Sequence, residues 1–424
     1  MTLACQNGRA DSLVLEGRVL DPARGLDACL RVTVREGTIA ALEPGGDPGL
    51  LIAPAFVDPH VHLRTPGRED EETLRSGTEA AAAGGYCALL AMPNTDPVVD
   101  SAAVLGSLLE RAREEAVVPT GFHAAITKGQ RGEELTEMVE LASAGATGFS
   151  DDGRPVVSAG LLRRALRYGG LVSVPLALHC EDPTLSRGGH AHEGAVAAEL
   201  GLAPYPAAAE SLMVERDLAL AALEERPVHL LHLSARASVE ALERALAAGA
   251  RVSAEVTPHH LVLTEEAVRS LDPNVKMNPP LREAADREAL RDALRRGTIS
   301  CVATDHAPHA RHEKDVPFEE APFGVIGLET AFAALYTHLV LPGVLSLETL
   351  LERMSSGPAR AFGLEEPRSE VGVRANLVAI DLDADWVVSE DAFRSRSANS
   401  WLLGARLRGR VVRTIADGRE VFAG

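Results

Sequence analysis

The stretch LLIAPAFVDPHVH, residues 50–62, runs from an apolar segment into two histidines one residue apart. A short apolar run rich in β-branched and aromatic residues reads as a buried strand. Residues two apart on a strand point to the same side, so His60, His62 and, two further on, Arg64 share one face. Two imidazoles and a fixed positive charge at a strand end are either a solvated histidine pair or one corner of a site. The rest of the chain decides between them.

Seven more apolar runs follow: CALLAMPNT (87–95), TGFHAAIT (120–127), ATGFSDD (146–152), VSVPLALHCED (172–182), PVHLLHLSA (227–235), RVSAEVTPHHL (251–261) and ISCVATDHAPH (299–309). Between them lie EETLRSGTEAAAAGG, GLLRRALRYGG, AAAESLMVERDLALAALEE and SVEALERALAAGA, with apolar residues at helical spacing and glycine near the stops. Strand alternating with helix argues for a parallel sheet, and eight such pairs argue for an α/β fold with a (βα)8 barrel. Residues 11–52 and 370–424 instead show short alternating strands broken by Gly, Pro and Asp. Neither end is apolar enough for its own core. Both are expected to join in one small β-sandwich, giving a division into 1–53, a barrel over 54–362, and 363–424.

Composition narrows the function classes. The 424 residues are 46% hydrophobic and 24% charged, as in a globular protein. No window approaches the roughly 18 uninterrupted apolar residues of a membrane span. The start MTLACQNGRADS has no basic region followed by an apolar stretch, so no secretory signal is expected. Five scattered cysteines with no CxxC pair predict free thiols in a reducing cytoplasm. A formal charge of -19 disfavours nucleic acid and anionic membrane as partners. It does not disfavour an anionic small molecule, given a locally positive pocket. Lysine is scarce: only Lys128, Lys276 and Lys314.

The polar clusters fall at the C-terminal ends of the expected strands, where barrel enzymes build their sites. Strand one ends in His60 and His62, strand four in Asp151 and Asp152, strand five in His179, strand six in His232 and strand eight in Asp305. Four imidazoles and carboxylates gathered on one rim point to bound divalent metal. Imidazole with carboxylate and no thiolate suits zinc, with manganese or cobalt as alternatives. His229 faces away from His232 and is expected in the core. His259, His260 and His306 are expected to support the site rather than ligate, and Cys180 to be a buried structural thiol. His123, His190, His192, His312 and His338 are assigned to solvent, loop or packing. Periodicity does not decide between Asp151 and Asp152, because adjacent residues face opposite ways.

With these residues in place, DPHVHLRTPG, AMPNTDP, FSDDGRPV, HCED, HLLHLSA, KMNPPLR, ATDHAPH and APFGVIGLET together resemble bacterial dihydroorotase of the long type, in the amidohydrolase superfamily. The resemblance spans almost the whole chain. Hydantoinases and allantoinases of that superfamily typically bridge two metals with a carboxylated lysine at strand four, and GATGFSDDG contains no lysine. In the dihydroorotase subgroup an aspartate takes the place, which implies Asp152. The resemblance further implies His60, His62 and Asp305 on one zinc ion and His179 and His232 on a second, with Asp152 shared.

That family closes N-carbamoyl-L-aspartate to L-dihydroorotate with loss of water, reversibly, in pyrimidine synthesis. Asp305 would then shuttle the proton. Arg64 offers a planar fork for the substrate carboxylate, and by resemblance Asn94 and His309 complete the clamp. Asn278 and the backbone of Phe323 and Gly324 would hold the ring, with His62 beside it. The charged stretch 310–322 reads as a solvated loop or, second, as a lid. A homodimer and association with aspartate transcarbamoylase are the partners compatible with the resemblance. The rivals are a hydantoinase-like or allantoinase-like cyclic amidase and a catalytically silent subunit of aspartate transcarbamoylase, which would be expected to have lost metal ligands.

Overall fold

The opening stretch is two strands, not one. The structure, a computed structural model, describes residues 1–8, 11–46 and 49–424. Leu51–Pro54 pairs parallel with Leu13–Asp21 and antiparallel with Leu377–Val387, whereas Phe56–Val61 pairs parallel with Tyr86–Ala91. The switch of partners occurs at one residue. Ala55 N–H donates to Asn376 O at 3.0 Å, and Phe56 N–H donates to Gly85 O at 2.9 Å. All residues from Leu51 to Val61 are buried because each half lies inside a different sheet.

The two termini do meet, and their strands form one continuous seven-stranded mixed sheet. Its order is Arg419–Ala423, Arg406–Ala416, Leu377–Val387, Leu51–Pro54, Leu13–Asp21, Leu26–Arg35, Thr38–Pro44. The short central strand Leu51–Pro54 hydrogen-bonds to both halves, and at the far edge Thr38 bridges Arg374, so the continuous sheet curls back on itself. Leu15, Val19, Val32, Val34, Ile39, Ile52, Leu377 and Ile415 gather into a small core of this sheet. Strand alternation brings them there: in Leu13–Asp21, Leu15, Gly17 and Val19 turn inward while Val14, Glu16 and Arg18 do not.

The remaining strands are parallel. Phe56–Val61, Tyr86–Ala91 and Thr120–Phe122 form one ladder; Leu176–Leu178, Val228–Leu230, Val252–Val256 and Cys301–Val302 form another. ATGFSDD forms no strand of its own, yet Phe149 bridges Ala124 on one side and Leu176 on the other. His306, just past Cys301–Val302, bridges Val61. Helices such as Leu74–Ala83, Ala102–Glu115, Ala208–Leu223, Arg236–Ala247 and Ala284–Arg296 intervene between strands and bury one apolar face each.

Phe56 anchors the junction between the two sheets. It is fully buried, stacks on Phe332 with centroids 5.6 Å apart, and meets the edge of Tyr86 at 5.7 Å. Phe56→Ala is expected to cost about 3–5 kcal/mol through lost burial and an unfilled cavity, read as a lower urea midpoint. A loss under about 1 kcal/mol would show that the junction repacks freely.

Candidate metal centre

His60 and His62 leave the end of Phe56–Val61 on the same side, as alternation requires, with ring centroids 5.3 Å apart. Arg64 is beyond the strand, at φ +53°, so its place in the site comes from a turn and not from the pleat. His232 (φ +28°) and Asp305 (φ +48°) are also held in the left-handed region, which costs backbone energy for side chains of this kind. Three of the eight described non-glycine residues with positive φ thus lie in this one cluster.

Asp152 is its centre. Oδ2 lies 3.6 Å from His60 Nε2 and 3.5 Å from His62 Nε2. Oδ1 lies 3.3 Å from His179 Nδ1 and 3.4 Å from His232 Nε2. Each carboxylate oxygen therefore faces a different pair of imidazoles. Asp305 Oδ1 sits on the first pair's side, 3.0 Å from His62 Nε2 and 3.4 Å from His60 Nε2. Asp151 turns the other way: its Oδ1 accepts from the backbone N–H of Ile126 (2.8 Å) and Thr127 (3.1 Å), and its Oδ2 from the Thr127 hydroxyl. Gly153, at φ +73°, makes the turn that separates the two aspartates from the loop beyond.

The far ring nitrogens are tied by acceptors. His60 Nδ1–H donates to Glu255 Oε1 at 2.6 Å, His179 Nε2–H to Glu181 Oε2 at 2.8 Å, and His62 Nδ1–H to Asn94 Oδ1 at 2.9 Å. An N–H held at one end of a neutral imidazole leaves a lone pair at the other, and here those lone pairs converge. His60 Nε2 is buried with no hydrogen-bond partner, and His179 Nδ1 stands 2.9 Å from His232 Nε2. A set of buried imidazole lone pairs and carboxylates aimed at one another requires a positive charge between them. A divalent cation fits this donor set.

The electrostatics show the same demand for positive charge, which a proton on a ring or a cation between the rings can meet. Burial opposes charge on His60, but Asp152, Asp305 and Glu255 outweigh it and raise its pKa well above the ordinary value. Burial pushes Asp152 up, yet His60, His179 and His232 hold it well below the usual carboxylate range. Asp305 is likewise lowered against its burial, by His60 and His62. Both carboxylates are thus ionised and seek cations.

A cavity of about 220 Å³ opens above the centre. It is lined by His62, Arg64, Asn94, Asp152, His179, His232, Asn278, Asp305, His309, Phe323 and Gly324, so every residue expected from the sequence borders it except His60, which lies beneath within the same cluster. Asn278 Nδ2 donates to Glu181 Oε2 at 3.1 Å, while its Oδ1 is buried without a partner and available to a ligand donor. Gly324, at φ +121°, has no room for a side chain: a Cβ there would stand 2.7 Å from Ala307 Cβ and 3.2 Å from His309 Nε2. A larger cavity of about 630 Å³ lies between Ala208–Leu223 and Arg236–Ala247, lined mainly by alanines and arginines with no imidazole among them.

Several supporting residues escape sequence reading. Glu255 is fully buried and accepts from His60, from His229 Nε2 at 3.0 Å and from the His232 N–H at 3.2 Å. Burial raises its carboxyl, but His60 and His229 bring it down to about 2. The one available signal was a lone carboxylate inside the apolar strand VSAEV, which burial makes costly unless it is partnered. His229, expected only as core packing, does pack against Phe362 but also bonds Glu255 and Ser253. His260 bonds Thr257 and the Pro279 carbonyl, and His306 bonds Glu72 and the Gly327 N–H, both away from the cluster. Cys180 is buried against Asp217.

The segment 310–322 is solvated at Arg311, His312, Asp315, Pro317, Glu319 and Glu320, as expected, but it is also anchored from beneath. Lys314 Nζ donates to the carbonyls of Pro273 and Pro322, and Lys276 Nζ to those of Phe318 and Glu319. Two of the three lysines are buried in fastening it.

Glu255→Gln keeps the shape but cannot hold the His60 proton in the same way, and is expected to weaken divalent-metal affinity about 10- to 100-fold. Competition with a chromophoric chelator measures this. Unchanged affinity would remove Glu255 from the centre's support.

Comparison with known proteins follows the same line. The Dihydro-orotase-like family model matches residues 49–238. A protein of Geobacter sp. (strain M21) named dihydroorotase is 43% identical over 420 residues, covering 97% of this chain and 99% of its own. One of Pelotomaculum thermopropionicum with the same name is 44% identical over 421 residues, covering 97% and 98%. Among solved structures, an L-hydantoinase from Arthrobacter aurescens superposes with a TM-score of 0.87 at 25% identity, covering 97% of this chain and 96% of that one. A dihydropyrimidinase from Brevibacillus agri superposes at 0.84 with 22% identity, covering 97% and 95%, a likeness of fold. Near-complete coverage at more than 40% identity is decisive: the chain belongs to the dihydroorotase family.

Proposed function

We propose that the protein is a dihydroorotase, interconverting N-carbamoyl-L-aspartate and L-dihydroorotate in pyrimidine synthesis. The observation that carries this reading is Asp152, each of whose oxygens faces a separate imidazole pair below a cavity walled by Arg64 and His309. His60, His62 and Asp305 would hold one zinc ion and His179 and His232 a second, with Asp152 shared. When bound, such a pair supplies an acidified water and polarises the ring carbonyl.

The chain's own residues do the rest. Arg64 and His309 bind the substrate carboxylate, with Asn94 between them and His62, and Asn278 Oδ1 accepts from the ring. In the hydrolytic direction Asp305, ionised by its imidazole neighbours, takes the attacking water's proton on a carboxylate oxygen. It returns that proton to the ring nitrogen as the amide bond breaks. Cyclisation runs the same steps backwards.

The parallel pairings that lead from Phe56–Val61 through Phe149 to Cys301–Val302, with His306 against Val61, support a closed (βα)8 barrel with this site at its C-terminal rim. Divisions at 53/54 and 362/363 fit the point where Leu51–Pro54 hands over to Phe56–Val61 and the helix Ser356–Phe362 that precedes the return to the terminal sheet. Five free cysteines favour a cytoplasmic place, and no described helix is long and apolar enough to cross a membrane. The substrate is a small molecule rather than nucleic acid or membrane. A homodimer and a complex with aspartate transcarbamoylase are the assemblies to test.

The purified chain, supplied with zinc, should turn over L-dihydroorotate and not hydantoin or allantoin, with about two metal ions per chain. Turnover of hydantoin in preference would replace this reading with a cyclic amidase of the kind its structural neighbours are named for. Bound metal with no turnover would point to dependence on a partner chain.

A further inference from the structure

Behind Arg64 and His309, which line the cavity, runs an ion-pair network that the metal chemistry does not use. At its centre is Glu71, 2% exposed, in the segment between Phe56–Val61 and Leu74–Ala83. Its Oε2 forms an ion pair with Arg64, 2.9 Å from Nε. Its Oε1 lies 3.2 Å from His309 Nδ1 and 2.9 Å from Arg68 Nη2. Its backbone carbonyl accepts from the Ser397 hydroxyl at 2.7 Å, which pins the segment to the C-terminal part of the chain. One buried carboxylate thus touches both Arg64 and His309, which arrive from segments 245 residues apart.

We propose that Glu71 is the positioning residue of the carboxylate clamp, and that it sets the preference for an anionic ring over a neutral one. The inference rests on the dihydroorotase reading above. Arg64 Nε–H donates to the Pro308 carbonyl (3.1 Å) while Glu71 Oε2 pairs with the guanidinium 2.9 Å from the same nitrogen, which holds the guanidinium plane and leaves its terminal amino groups for a ligand in the cavity the residue lines. His309 stands between two acceptors, Glu71 Oε1 3.2 Å from Nδ1 and the Phe323 carbonyl 2.7 Å from Nε2, and its one N–H as a neutral ring goes to one of them at a time, so the two together set its orientation. A flexible arginine fixed before the ligand arrives loses less freedom on binding, so the gain appears as affinity. That gain exists only for a ligand with a group for the guanidinium to meet. A ring without a carboxylate makes no such contact and does not sense Glu71.

The test uses the full-length, metal-loaded chain with Glu71→Gln, which keeps shape but removes the charge. The readouts are KM and kcat for dihydroorotate, the inhibition constant of dihydrouracil (the same ring without the carboxylate), metal content and thermal midpoint. KM for dihydroorotate should rise about 10- to 100-fold with kcat within about threefold, the change expected on losing a charged hydrogen-bond partner. Dihydrouracil inhibition, metal content and midpoint should stay unchanged. An unaltered KM, or equal weakening of both ligands, overturns the proposal, because a merely structural carboxylate would not distinguish them. Should Glu71→Gln fail to fold, Glu71→Asp keeps the charge for Arg68 but draws back from Arg64 and His309, and the same split is read. A wild-type chain that neither turns over nor prefers dihydroorotate overturns the dihydroorotase reading and this one together. A wild-type preference that survives intact in the variant overturns this one alone.

Discussion

Asp305→Asn should lower kcat for dihydroorotate by about a thousandfold or more, the scale of removing a positioned proton carrier. The geometry explains the size. Asp305 Oδ1 stands 3.0 Å from His62 and 3.4 Å from His60 on the cavity floor, ionised because those imidazoles outweigh its burial. Asparagine retains the shape and one acceptor oxygen but takes up no proton. Because Asp305 is also assigned as a ligand, metal is counted on the same sample at saturating zinc. A variant that keeps its metal and loses turnover locates the defect in proton transfer. One that keeps most of its turnover with metal bound would leave the proton to another group.

The second large effect separates two adjacent aspartates. Asp152→Asn should abolish turnover and reduce bound metal, since the carboxylate whose two oxygens face four imidazoles is lost. Asp151→Asn should leave the metal in place. Its carboxylate serves the Ile126 and Thr127 backbone and the Thr127 hydroxyl, so the loss is one of loop stability, about 1–3 kcal/mol. Burial already raises its pKa to about 6, so a neutral side chain is a modest change there. Metal analysis and thermal melts of the two variants, side by side, read the contrast. The reverse pattern, metal lost with Asp151 and kept with Asp152, would reassign the centre.

His60, His62, His179, His232 and Asp305 were legible from the sequence because each ends a short apolar run bounded by helical segments, a pattern that favours a buried strand with its polar residues at one end. The alternation of strands and helices was legible for the same reason, since it depends on local pattern, as was the strand-like character of both termini, each too poor in apolar residues to stand without the other. Tertiary structure alone decided the rest. Strand periodicity assigns a face to a residue but no partner in a distant segment, so Glu255, 195 positions from His60, read as one more strand residue until the fold brought the two to 2.6 Å. Glu71 carries no pattern in the sequence that sets it apart, and only the fold closes Arg64 and His309 on it. The choice between Asp151 and Asp152 lay outside any local pattern, because adjacent side chains point opposite ways and only the packing decides which side holds the imidazoles. The single mixed sheet was hidden for a like reason. Its central strand, Leu51–Pro54, is continuous in sequence with Phe56–Val61, and only hydrogen bonds to segments more than 30 and 300 residues away assign it to the other body.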